Sequence, residues 1–215
     1  MYTEIENLKK IEQVEKVDNR LEQGYPEAPA FAKMDEGLEY APPSEIQAAE
    51  IRDVFLEVPE FRFENWEKLG AAERAEALNQ FEEKIAEIEM RNPLPVQVER
   101  LGPGIRGLCD GQTLKLSESL LSSNSYEDYR QTFETLFHEG RHAYQFYNLD
   151  VCRTERSDNM VDSWRANLSI LGYESGNGIF LTETAKIRGY YRYASQPVEV
   201  DARQFAEDVI RKLGI

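Results

Sequence analysis

The chain has 215 residues, of which 41% are hydrophobic and 11% aromatic, enough apolar side chain to bury a core and so to exclude a disordered tail. Its formal charge of -15 repels nucleic-acid phosphate and anionic membrane surfaces at long range, so no nucleic acid is expected as a partner. Met1-Tyr2-Thr3-Glu4-Ile5-Glu6 lacks the basic start and apolar run of a secretory leader, and no stretch reaches the length of a membrane span; the expectation is a protein made soluble in the cytoplasm.

Residues 1 to about 23 carry Ile5, Leu8, Ile11, Val14 and Leu21 at helical spacing in a charged background. From Gly24 to Pro43, with Pro26, Pro29, Pro42 and Pro43, the pattern is that of an extended connector. Ser44 is placed to cap a helix to about Leu56, and Ala71 to Arg91 form a scaffold helix with Leu78, Phe81, Ile85 and Ile88 on one face, ended by Asn92-Pro93. Leu94 to Leu101 and Ile105 to Leu116 hold β-type runs broken by Gly102-Pro103-Gly104 and Asp110-Gly111, which predicts a small antiparallel sheet.

Ser125, with Glu127 and Asp128 after it, opens a helix whose periodic Tyr129, Phe133, Leu136, Phe137, Gly140 and Tyr144 carry it to about Tyr147. A further helix fits Asp158 to Leu171, then come a loop with Gly172, Gly176 and Gly178, an aromatic segment through Tyr193, and a last helix opened by Pro197. The predicted class is α+β and mostly helical, with residues 1–91 a supporting or regulatory helical region and 92–215 the catalytic domain, the two able to form one compact unit. Cys109 and Cys152 lack CxxC spacing and are expected to be buried small hydrophobes, not zinc ligands.

Both histidines of the chain lie in His138-Glu139-Gly140-Arg141-His142. Positions i and i+4 of a helix share a face, so the two imidazoles can converge on one ion, and two imidazoles with a carboxylate favour zinc. Glu139 then lies beside that ion, where it can take a proton from an activated water and deliver it to a leaving amine. Arg141 is expected to face acidic side chains.

A catalytic zinc takes three protein ligands and an open position, and no third histidine exists, so the third ligand should be a carboxylate. The candidate is Glu199 in Gln196-Pro197-Val198-Glu199-Val200-Asp201-Ala202, on a helix whose Ala202 and Ala206 permit close approach. Asp201 is either an alternative ligand or, as favoured, the acceptor that fixes a ligating histidine through its other ring N–H. Glu174 and Glu183 are weaker third-ligand candidates, and Asp162 and Glu134 could also support the ligands. A donor for the oxyanion of the transition state is sought among the aromatic residues, with Tyr190 and Tyr193 foremost.

Thr135-Leu136-Phe137-His138-Glu139-Gly140-Arg141-His142-Ala143-Tyr144-Gln145, followed later by Glu199 and Asp201, resembles the zincin metallopeptidases in their gluzincin form. It is similar to small bacterial zincin domains, including those deployed as effectors or toxins. The resemblance covers about residues 94–215 and implies a zincin-like core with a sheet edge above the active-site helix, a zinc cofactor and a protein or peptide substrate bound in extended form. The spacing of two between Glu199 and Asp201 is narrower than in the best-known gluzincin helix. The expected activity is zinc-dependent hydrolysis of peptide bonds. Two alternatives stand beside it: an effector protease delivered from the producing cell by a secretion system, with an inhibitory or immunity partner, and an inactive zincin-like binding module.

Overall fold

A computed structural model describes residues 39–170, 172–174 and 183–215. The charged helix expected over residues 1–23, most of the connector after it, and Gly176 and Gly178 lie outside the described residues.

Helix α1 (Ser44–Glu57) follows Pro42 and Pro43, and the N-cap position is Pro43, not Ser44. Ser44 is the first helical residue, and its hydroxyl accepts from Arg141 instead of from a first-turn amide. A 3-10 turn at Pro59–Phe61 and the short α2 (Phe63–Trp66) lead into α3 (Ala71–Ile88), which buries Leu78, Phe81 and Ile85.

Strands β1 (Val96–Glu99), β2 (Gly107–Cys109) and β3 (Leu114–Ser117) form one sheet in the order β1-β3-β2. The sheet is mixed, not antiparallel as the turn signals suggested. The Asp110-Gly111 turn does make a hairpin: Asp110 Oδ1 accepts from the Gln112 and Thr113 amides, Gly111 takes a φ of 80°, and β2 pairs antiparallel with β3. β1, however, pairs parallel with β3 on its other side. Its start is fastened to α3, where the Asn79 amide donates to Val96 O at 3.0 Å and accepts from Val96 N at 2.7 Å. That anchor sets the strand's direction, and the chain must cross β3 before it can form the hairpin.

After α4 (Glu118–Leu121), Ser125 caps α5 (Tyr126–Asp150) by accepting from Asp128 N, and the helix runs one turn beyond the expected end. Helix α6 (Asp158–Arg165) continues as a π-helical stretch at Ala166–Ile170. Helix α7 (Glu183–Ala194) precedes α8 (Pro197–Leu213), which opens on Pro197 and closes at Gly214, whose φ is 73°.

Tyr129, Phe133, Leu136 and Phe137 of α5 pack with Ile51 and Phe55 of α1, Phe61, Trp66, three side chains of α3, and Phe205, Ala206 and Val209 of α8. Each of the larger side chains contributes about 1.5–3 kcal/mol by leaving water. The core therefore crosses residue 91, and residues 38–215 form one compact unit. A smaller cluster of Ala41, Tyr144, Val161, Trp164 and Val198 lies at the C-terminal half of α5. Cys109 is partly buried, Cys152 is exposed where a buried residue was expected, and both are free thiols. Among the described residues, no helix is long and apolar enough to cross a membrane.

The hairpin lies directly on α5, and Gly107 makes that contact possible. A Cβ at Gly107 would lie 2.4 Å from Thr135 Cγ2, 2.8 Å from Glu139 Cγ and 3.0 Å from Glu139 Oε1. Thr135 is β-branched and buried, so it cannot swing away. Gly107→Ala is expected to cost about 1–3 kcal/mol in denaturant unfolding as an overpacking change. Gly102→Ala, whose nearest neighbour is the flexible end of Ile105 at 3.4 Å, should stay within about 0.5 kcal/mol of the parent.

Candidate metal centre

Helix α5 places His138 and His142 one turn apart on one face, and α8 crosses that face with Glu199 in its first turn. His138 Nε2 and His142 Nε2 lie 3.1 Å apart, His138 Nε2 is 3.3 Å from Glu199 Oε2, and His142 Nε2 is 3.4 Å from Glu199 Oε1. Tetrahedral zinc with bonds of about 2.0–2.1 Å requires its ligand atoms to sit about 3.3–3.4 Å from one another. Each imidazole nitrogen meets its own oxygen of Glu199 close to that spacing, and one ligand atom from each of the three residues lies within 4.8 Å of the others, a group able to hold a metal ion. Glu199 is 1% exposed, and Ala202 and Ala206, both buried, let α8 come this close to α5.

The charges reinforce the geometry. Burial alone would raise the pKa of Glu199, but its hydrogen bonds with both histidines hold it well below the usual carboxylate range. Burial opposes a charged His142, yet the Glu199 hydrogen bond and the charges of Glu139 and Glu199 outweigh it and push its pKa up to about 9. Two carboxylates around two imidazoles thus call for positive charge, which a divalent cation could supply in place of a proton. Glu139 is 8% exposed, and burial pushes its carboxyl pKa up, while the two histidines and the Cys109 amide of β2 pull it back. A carboxyl raised in this way, beside the histidine pair, is a stronger base than an ordinary glutamate.

Asp201 does not touch either histidine, contrary to its expected role. Gln145 takes that place: its Oε1 lies 2.8 Å from His142 Nδ1, while its Nε2 donates to Val198 O at 3.0 Å and to Asp201 Oδ2 at 2.7 Å. Both of those partners are acceptors, so the amide oxygen must face the imidazole and receive its Nδ1–H. Neutral His142 then presents its lone pair on Nε2, toward Glu199 and His138. Asp201 acts one step further back, accepting from Arg141 Nε at 2.9 Å and Nη2 at 3.2 Å. Arg141 faces an acidic side chain, as its sequence context suggested. The reason for the difference is reach: Gln145, three residues after His142 on the same helix, stands between the ring and α8.

The tyrosines divide. Tyr193 lies near Glu199 with its ring edge-on to Tyr173, whereas Tyr190 is 60% exposed with its ring against Tyr191. Asp162 pairs with Arg165, and Glu134 with Arg130. Glu174 has an ion pair with Arg192. Two residues of the site were missed in the sequence. The i,i+3 spacing from His142 could have identified Gln145; nothing in the pattern around Tyr173 marks its hydroxyl, which donates to Glu199 Oε1 at 2.6 Å.

No family model matches the chain, and neither does any curated protein or solved structure.

Replacing Gln145 by Met removes the acceptor for His142 Nδ1 while keeping a side chain of similar length. Zinc affinity measured by chelator competition is expected to fall about 10–100-fold; an unchanged affinity would show that His142 needs no such partner.

Proposed function

We propose that this protein is a zinc-dependent metallopeptidase of gluzincin type, with a zincin-like core formed by the mixed sheet, α5 and α8. The observation that carries the reading is the convergence of His138 Nε2, His142 Nε2 and the Glu199 carboxylate, whose Oε2 lies 3.3 Å from the first and Oε1 3.4 Å from the second, with Glu139 buried beside them. His138, His142 and Glu199 would hold the ion. Zinc, when bound, polarises a carbonyl and lowers the pKa of water toward about 7.

The other work falls to the chain's own side chains. Glu139 accepts a proton from the attacking water and returns it to the leaving nitrogen, and its raised pKa favours the first transfer. β2 is an edge strand of the sheet and lies on α5 beside Glu139. An extended peptide alongside that strand would bring a backbone carbonyl toward the histidine pair. Tyr193, near Glu199, is the nearer of the two tyrosines expected to donate to the developing oxyanion.

Glu139→Gln keeps the size of the side chain and removes its basicity. The zinc-loaded variant is expected to retain the metal and to cleave a mixed-sequence peptide library about 100–10,000-fold more slowly than the parent. Zinc-loaded parent that cleaves no peptide, or a variant as fast as the parent, would overturn the reading.

A further inference from the structure

The carboxylate of Glu199 has two oxygens and, among the described residues, three polar contacts of 3.4 Å or less. Oε2 faces His138 at 3.3 Å and Oε1 faces His142 at 3.4 Å, and Oε1 also accepts from the Tyr173 hydroxyl at 2.6 Å. That last contact is the shortest of the three, and it engages only one of the two oxygens.

Tyr173 belongs to Gly172-Tyr173-Glu174, a short segment firmly attached to the helix that carries the ligand. Buried Gln196, at the N-cap position of α8, donates from Nε2 to Glu174 O at 2.8 Å and accepts at Oε1 from Glu174 N at 2.9 Å. One side-chain amide therefore holds both polar backbone groups of Glu174. Asn167 Nδ2 donates to the same Gln196 Oε1 at 3.0 Å, which fixes the orientation of that amide, and Asn167 Oδ1 accepts from Val198 N at 3.4 Å. Glu199 follows three residues after Gln196, so the clamp and the ligand share the first turn of one helix. The ring of Tyr173 is also held, edge-on to Tyr193 at 6.1 Å and 82°.

Building on the reading of His138, His142 and Glu199 as zinc ligands, we propose that Tyr173 is a positioning residue that makes Glu199 a one-oxygen ligand, with Gln196 as the clamp that keeps its hydroxyl in place. A carboxylate free at both oxygens can bind a cation through both and take up the position a substrate needs. A neutral hydroxyl on Oε1 prevents this and leaves the negative charge of Glu199 uncompensated, which a basic side chain would not. It leaves Oε2 for the ion.

Tyr173→Phe tests the role directly, since it preserves the ring against Tyr193 and removes one oxygen atom. The expected result is a loss in zinc affinity of about 10–100-fold by chelator competition, with the melting temperature of the metal-free protein unchanged. The visible absorption of the cobalt-substituted variant is expected to weaken, as it does when a four-coordinate ion gains a ligand. Gln196→Ala, which frees the segment without touching the hydroxyl, should lower affinity in the same direction. Parent affinity and an unaltered cobalt spectrum in Tyr173→Phe would overturn the role of Tyr173 while leaving the metal reading intact; a parent protein that binds no zinc would overturn both.

Discussion

The guanidinium of Arg141 is the point on which the packing of the site depends. It is fully buried within the His-Glu-Gly-Arg-His turn, over the rings of Tyr144 at 4.4 Å and Phe205 at 4.8 Å. Its partners come from two other helices: Asp201 of α8 and, on α1, Ser44 at 3.1 Å and Gln47 at 3.3 Å. A buried cation that loses its carboxylate costs about 3–5 kcal/mol, so α1, α5 and α8 are set relative to one another by a single side chain. From Asp201 the constraint passes through Gln145 to the ring of His142. The same residues that close the core therefore aim an imidazole.

A second buried arginine lies beside the motif helix at Gly140. Arg91 donates to Glu82 at 2.6 Å and to Glu89 at 2.7 Å, and its Nη2 lies 3.5 Å from where a Cβ of Gly140 would stand. The motif helix thus meets two buried ion clusters, one from α3 and the turn after it, the other from α8. Neither cluster faces the histidines. Glu139, Glu199 and the two imidazoles stand together on the motif helix and α8, where His138, His142 and Glu199 could hold a cation.

Much of this was legible before the structure. Periodicity locates α3, α5 and α8 because each buries a wide apolar stripe, and Ser125 and Pro197 mark true helix starts. The histidine pair was legible because its geometry is local to one helix, and Glu199 because elimination left a carboxylate on a helix with small residues. The direction of β1 was not, since it follows from Asn79, seventeen residues away from the backbone it grips. Ser44 reads as a cap until Arg141 claims its hydroxyl. Asp201 seemed placed to touch a histidine, yet whether it does depends on the distance between α5 and α8, which Gln145 fills. Tyr173 and Gln196 act through a loop and a helix end that only tertiary packing brings together.

Zinc K-edge X-ray absorption on the purified protein loaded with one equivalent of zinc tests the central claim most directly. Two imidazole nitrogens at about 2.0–2.1 Å with oxygen completing the shell are expected, with the loss of one imidazole contribution in His142→Ala. A shell containing sulfur, or one unchanged by removing His142, would contradict it.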